Sequence, residues 1–421
     1  MGDPLVLKAA QTAKASWLQK LVKPRPLFRV YNLGSMGGFD VESSSMFPLI
    51  LPKDKVVVIK AKMLKRDDIV VFTKNSRLIA HRLIYVSPSE DYLVTRGDNN
   101  LSSDGKISQG QILGKIETLK RGGGKLSLSH VYLTQSSIYL KELKEIDLAF
   151  REQGVPYVIL KGLPVHITIN NSPPKRLYLD ADILVKKGDF KKATQALLDL
   201  QFKKLKSTLL GKEAELSSQL DFTKFTNPFP VTIDLHKSPA IGFTKTRILD
   251  YLAPDSNLFS DYLFRNVRNV YVGSTKFPIL KNETLLIFLL LHLFHHNFRG
   301  IERIRLISDL IAIGHLNWKR VRKDTKKLNV DPYISCALIF VNKYYPGAPK
   351  LPRSVLYSAL TLFISPFNSL PKHLERAERF ILLILLSPES LWKKVSVVFE
   401  PKVYSYFFKT IKSFFLSSVR K

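Results

Sequence analysis

Lys175-Arg-Leu-Tyr-Leu-Asp-Ala-Asp-Ile-Leu-Val185 is the stretch on which the reading of this chain turns. An apolar run of this kind reads as a strand, and Asp180 and Asp182, two residues apart, then project from one face. Two neighbouring carboxylates repel unless a cation lies between them. The useful form of that arrangement is a divalent-metal site serving a phosphate-bearing substrate. By itself the spacing describes two solvated aspartates on an edge strand equally well.

The flanking sequence favours the metal site. Upstream, Ile138–Gln153 reads as an amphipathic helix with Leu140, Leu143, Ile146 and Leu148 on one side, closed by Gly154-Val-Pro156. Tyr157–Leu160 then reads as a buried strand running into Lys161-Gly162. Glycine at such a turn lets backbone approach a phosphate, and the lysine adds a point charge. Downstream, a helix over Phe190–Leu200 precedes a strand, Val231-Thr-Ile-Asp-Leu-His236. Asp234 among apolar neighbours is costly unless compensated. It is either a third metal ligand, as in two-metal sites, or a strand-end residue facing solvent.

Leu160-Lys-Gly162, Arg176 ahead of Asp180-Ala-Asp182-Ile-Leu-Val185, and Ile233-Asp-Leu-His236 together resemble the uncharacterised nucleotidyltransferase family of the polymerase-β-like superfamily. The resemblance implies that Asp180, Asp182 and Asp234 hold Mg²⁺ and that Lys161, Gly162 and Arg176 contact the phosphates of a nucleoside triphosphate. It departs from the superfamily at the turn, where Gly-Ser is usual and this chain has Lys161-Gly162. The resemblance continues through a helical histidine, Leu306-Ile-Ser-Asp309-Leu and Trp318, and implies that these helices close over the site. Asn282–His296 and Ile304–Ile313 read as those helices. His292 and His296 have metal-ligand spacing, but no Glu lies between them in the metalloprotease pattern, which favours packing or hydrogen bonding. Arg305 and Asp309 form an i,i+4 pair.

The first part of the chain carries a second constellation. Turn residues separate short strands at Lys55–Lys60, Asp68–Thr73, Leu78–Val86, Tyr92–Thr95 and Gln111–Thr118. Ser43-Ser-Ser-Met-Phe-Pro48 offers a nucleophile before a proline turn, Ala80-His81-Arg82 places a histidine in a strand, and Arg96-Gly-Asp-Asn-Asn100 with Asp104 supplies acids. A serine needs a base to take its proton and an acid to orient that base. Separately, the pieces describe loop serines, a half-buried histidine and an Asx-turn.

In this order they resemble type I signal peptidases, the histidine-containing archaeal and endoplasmic-reticulum branch in particular, over about residues 40–118. The resemblance implies Ser45 as nucleophile, His81 as general base, Asp104 as its support with Asp98 as second candidate, and Ser43 beside the oxyanion with the Ser45 N–H. Asp67 stands where that family usually has glycine, and the family's membrane anchor has no counterpart, so a dedicated precursor or the chain itself is the natural substrate.

The formal charge of +30 makes attraction to nucleic acid, nucleotide or an anionic membrane surface physically reasonable, without selecting among them. A generally solvated basic surface accounts for it equally. Cys336 is the only cysteine, which excludes an intrachain disulfide and a cysteine zinc site and fits a cytoplasmic location. Leu5–Leu21 is broken by Lys8, Lys14 and Lys20 and lacks a signal-peptide core, and Leu285–Phe294 is shorter than the roughly 20 residues of a membrane span. The tail from Arg376, with Phe380–Leu386 and aromatics such as Tyr404, Tyr406, Phe407 and Phe408, reads as helical packing, with a membrane-surface or partner-binding helix as the alternative.

The sequence therefore predicts an α+β multidomain protein. A basic segment (1–39) precedes a β-rich signal-peptidase-like domain (40–120). A glycine linker (121–135), an α/β nucleotidyltransferase-like domain (136–270) and a helical region (271–421) follow. The expected function is a serine endopeptidase joined to a Mg²⁺-dependent nucleotidyltransferase, both acting on one peptide or precursor-protein substrate, with peripheral membrane contact. The alternative is an inactive or single-activity protein whose basic surface binds nucleic acid.

Overall fold

A computed structural model of the chain describes residues 30–31, 37–60, 63–87, 89, 91–100, 102–170, 177–178, 180–205, 219–226, 229–239, 252–313, 315–348, 359–360, 363–368, 370 and 372–398. Most of the expected basic segment (1–39), Lys175, Arg176 and the tail aromatics beyond residue 398 lie outside them. The chain divides into two compact units, one within 1–143, 172–179 and 223–232, the other within 144–171, 180–222 and 233–421.

The first unit is built on an antiparallel sheet. Its strands are β1 (Val30–Tyr31), β2 (Gly37–Asp40), β3 (Lys55–Ile59), β4 (Ile69–Lys74), β5 (Arg77–Val86), β6 (Leu93–Arg96), β7 (Lys106–Ile107), β8 (Ile112–Arg121) and β9 (Gly124–Ser127). They run in the order β1-β2-β3-β8-β4-β5-β6-β7, with β9 added to β8. Strand β4 serves two cores at once. Ile69 and Val71 enter a cluster with Val56, Ile116 and Leu119, while Val70 and Phe72 enter another with Leu83, Leu93 and Ile107. Alternation of period two is what lets one strand do this.

Gly37 and Gly38, at the end of the expected basic segment (1–39), belong to β2 and pair with Val58 and Val57. Gly122 and Gly123 are not a linker: with φ of +55° and +82° they make the tight turn between β8 and β9, where Arg121 faces Gly124. Hairpin turns with two positive φ angles favour glycine strongly. Helix α1 then runs from Leu128 to Glu152, ten residues longer at its start than the periodicity predicts.

The second sheet comprises β10 (Tyr157–Lys161), β11 (Ala181–Val185), β12 (Lys203–Lys204), β13 (Gln219–Phe225), β14 (Pro230–His236), β15 (Val267–Val272) and β16 (Thr275–Leu280), ordered β12-β13-β14-β11-β10-β16-β15. Strand β11 lies parallel to β14 and antiparallel to β10. The β15–β16 hairpin continues this sheet through the expected boundary at residue 270. Helices α2 (Leu163–Asn170), α3 (Phe190–Asp199), α4 (Ser256–Arg265), α5 (Asn282–His295), α6 (Ile301–Ala312), α7 (Trp318–Lys327), α8 (Asp331–Tyr344), α9 (Lys372–Leu386) and α10 (Leu391–Val398) complete the unit. Helix α5 is buried continuously from Thr284 to Phe294, which accounts for its apolar sequence on every side. Among the described residues, no helix is long and apolar enough to cross a membrane.

Candidate functional sites

In the second unit the sheet register sets three side chains in one row. Lys161 on β10 faces Asp182 on β11, and Asp182 in turn faces Asp234 on β14. Lys161 Nζ lies 3.1 Å from Asp182 Oδ2, and His236 Nε2 lies 3.0 Å from Asp182 Oδ1. Burial alone would raise the Asp182 pKa, but the Lys161 ammonium and the His236 hydrogen bond outweigh it and hold the carboxyl well below its ordinary value. Asp182, Asp234 and His236, all buried, bring one donor atom each within 4.8 Å of one another.

Asp180 is placed differently from the expectation. Strand β11 begins at Ala181, so the alternation that would align Asp180 with Asp182 does not extend to it. Asp180 is half-buried and stands outside the donor cluster, whose third member is His236. The sequence quoted His236 only as part of a motif; its two-residue spacing from Asp234 along one strand was the available signal.

Gly162 follows β10 with φ +114°, and a Cβ there would stand 3.2 Å from the Cα and Cβ of Ala181. The backbone angle is one that glycine adopts without strain, and any Cβ would also press Ala181 back by a few tenths of an ångström. Helix α2 starts directly after it. On the other side of Lys161, His292 of α5 brings Nε2 to 3.0 Å from Nζ. Burial first, then the Lys161 charge, push the His292 pKa well below its usual value, so a neutral ring faces the ammonium. This is a hydrogen-bonding contact, of the kind favoured over metal ligation by the absence of a Glu between His292 and His296.

Two residues in the supposed linker and the helix after it brace the approaches to the acids. The Gln135 side chain accepts from Tyr178 N at 3.1 Å and donates to Tyr178 O. Tyr139 Oη accepts from Thr232 N at 2.9 Å and donates to Thr232 O at 3.2 Å. Each clamp lies two residues before an aspartate.

The fit of a divalent cation can be judged from the donors. Two carboxylates and an imidazole, all buried, match the ligands such ions take. The His236 ring meets the cluster through Nε2, and its buried Nδ1 has no hydrogen-bond partner. The residues fit the group.

In the first unit, the three separated sequence pieces meet. Ser45 Oγ lies 3.0 Å from His81 Nε2, and His81 Nδ1 lies 2.7 Å from Asp104 Oδ2. Ser43 Oγ is 3.0 Å from Ser45 Oγ. Thr95, which the sequence did not single out, donates its hydroxyl to Asp104 Oδ2 at 2.7 Å, and Lys74 Nζ donates to the Asp104 carbonyl. Asp98 is not at His81: Arg82 Nε and Nη2 hold its two oxygens at 2.7 Å each. Burial opposes the Arg82 charge, but Asp98 and Tyr132 outweigh it and raise the guanidinium pKa further.

The loop after β6 fixes the serine. Asn99 N donates to Ser45 O at 2.8 Å, and Asn99 Nδ2 donates to Ser44 O at 3.2 Å. A Cβ on Gly97 would stand 2.6 Å from Ser45 O and 2.9 Å from His81 Nε2, so only glycine lets the loop close. Behind the serine, Met46, Leu49 and Ile50 are buried, and Arg121 ties Leu49 O and Asp54 to β8.

The profile of a family described as "Uncharacterised nucleotidyltransferase" matches residues 129–346, just over half of the chain and outside the serine constellation. A solved structure described as an antigenic nucleotidyltransferase-like protein from Paracoccidioides brasiliensis is similar at 15% identity with a TM-score of 0.33, over 55% of this chain and 91% of that one. No curated protein matches.

Proposed function

The chain belongs to the uncharacterised nucleotidyltransferase family, and from that premise we propose that its second unit transfers a nucleotidyl group from a nucleoside triphosphate to an acceptor. The observation that carries this reading is the buried Asp182–Asp234–His236 cluster, in register with Lys161 and its glycine turn. Asp182 and Asp234 hold the divalent cation, Mg²⁺ in this proposal, with His236 beside them and Asp180 as a further ligand. The bound cation supplies neutralisation of the phosphates and of the departing pyrophosphate. Lys161 adds a fixed positive charge at the phosphates, Gly162 lets backbone N–H groups reach them, and Arg176 adds a planar donor fork. The test is transfer of label from NTPs in the presence of Mg²⁺, with and without candidate peptide or RNA, in wild type, Asp182→Ala and Asp234→Ala. Transfer that survives Asp182→Ala counts against the site.

A second reading rests on one specific observation, the Ser45–His81–Asp104 chain of contacts at 3.0 and 2.7 Å. We propose a serine endopeptidase of signal-peptidase-like type, acting on a peptide or precursor protein that the nucleotidyltransferase also modifies. His81 takes the Ser45 proton as the hydroxyl attacks, Asp104 and Thr95 hold the imidazole in place, and the Ser45 N–H with Ser43 Oγ receives the oxyanion. Labelling by a serine-reactive phosphonate, or self-cleavage, that is equal in wild type, Ser45→Ala and His81→Ala sinks these roles. The competing binding-module reading requires salt-dependent nucleic-acid binding without turnover of nucleotide or peptide. A reducing cytoplasm is the compartment we assign, on the single cysteine, Cys336, which is buried.

A further inference from the structure

Helix α9 is held by one side. Phe380, Leu382, Leu383 and Leu386 are buried, and Glu375 and Glu378 receive Asn297 and Arg299 from the turn after α5. The opposite side carries Leu374, Ile381 and Leu385, whose spacings of seven and four place them on one stripe, and all three are exposed. Immediately beyond, α10 opens with Leu391 and Trp392, exposed at 74% and 84%. Trp392, Phe363 and Leu391 are the three most exposed large apolar side chains among the described residues.

An apolar stripe of this kind needs an occupant. Lys393 and Lys394 follow Trp392 directly, with Lys393 Nζ 2.8 Å from Glu389. From Leu391 to Lys421 the sequence mixes basic and aromatic residues against one acid, Glu400. Tryptophan beside lysine is the pairing that suits the headgroup layer, where the indole sits at the boundary and the ammonium meets anionic lipid. A symmetric contact with a second copy would bring the same lysine-bearing segment against itself. Nucleic acid would meet the lysines but leave the leucine and isoleucine stripe uncovered.

We infer that the α9 stripe and the start of α10 form a membrane-docking surface for an anionic bilayer, lying in the interface without crossing it. The inference is independent of either proposed activity. Full-length protein is sedimented with vesicles of phosphatidylcholine, alone or mixed with phosphatidylserine, at low and high salt. Trp392 emission is followed in a Trp17→Phe/Trp318→Phe background. Binding to the anionic vesicles with a blue shift of that emission is expected, weakening at high salt. The Leu391→Glu/Trp392→Glu pair should weaken it by about tenfold or more. The milder Leu391→Gln, with an unchanged circular-dichroism spectrum, should weaken it less. Equal sedimentation of wild type and the charged pair overturns the inference. So does binding to an RNA oligonucleotide but not to vesicles, or a dimer that dissociates on the paired substitution without any lipid binding.

Discussion

Lys161 Nζ sits 3.1 Å from Asp182 Oδ2, so the positive charge next to the acid cluster comes from the chain itself. The lysine is also held by His292, which makes its position a property of both the sheet and α5.

Replacing Lys161 by Met strips a mostly buried carboxylate of its cation. In the absence of divalent ions this variant should lose about 3–5 kcal/mol of stability, the range for breaking a buried pair. Added Mg²⁺ or Mn²⁺ should restore part of the loss by taking over the compensation. Thermal denaturation of wild type and Lys161→Met with and without each ion reads this directly; a loss that no cation relieves would argue against the site.

His236 and Asp180 separate by their effects on ion binding. His236→Ala should weaken Mn²⁺ binding by roughly ten- to a hundredfold, as losing a ligand or its support does. Asp180→Asn, outside the buried cluster, should weaken it less and show its effect in turnover. Calorimetric titration of the two variants ranks them.

Gly97→Ala should abolish phosphonate labelling of Ser45. Its methyl group would stand 2.6 Å from Ser45 O and 2.9 Å from His81 Nε2, so the loop must withdraw and take Asn99 with it. Overpacking of this kind costs about 1–3 kcal/mol. The fold should therefore persist by circular dichroism while labelling disappears. Thr95→Val removes only the Asp104 donor and should slow labelling about tenfold, in line with a lost hydrogen bond of about 1 kcal/mol or somewhat more.

The histidine cluster sets an acid limit on stability. His292, His295 and His296 are held well below their ordinary pKa, by burial first and then by Lys161, Arg379 and Arg303 respectively. Folded, they stay neutral; unfolded, they take up protons as pH falls through about 6.5. The unfolded state then binds more protons, so stability falls with pH, by up to about 1.4 kcal/mol per unit for each ring. Asp182, with a depressed folded pKa, contributes stability above about 3.9 and loses it only at lower pH, outside this window. Melting temperatures from about pH 7.5 to 5.5 should fall, and less steeply in His295→Gln, whatever that variant's absolute stability.

Legibility in the sequence followed the range of the interactions. The strands of the first unit are readable because turn residues separate short apolar runs such as Ile69–Phe72, and the order of Ser45, His81 and Asp104 carries its own pattern. Asp180 stands one residue before the strand, which begins at Ala181, so alternation alone does not align it with Asp182. The Gly122-Gly123 turn was read as a linker because both uses have the same composition; only pairing of Arg121 with Gly124 distinguishes them. Gln135 and Tyr139 were invisible, since their backbone partners lie 43 and 93 residues away and nothing local marks them.

The first unit is interrupted twice in the chain, and this bears on its biosynthesis. Leu177 and Phe229 pack against the cluster formed by Val56, Ile116 and Leu119, long after the strands of that cluster have been made. At about 5–20 residues per second, the stretch between Leu143 and Thr232 takes on the order of ten seconds to emerge. For that interval the nascent β-sheet carries an uncovered apolar surface on the ribosome. The serine constellation is thus encoded early while the core behind it, Met46, Leu49 and Ile50 included, is covered late, and a gene truncated at the glycine turn would yield an N-terminal fragment prone to aggregate.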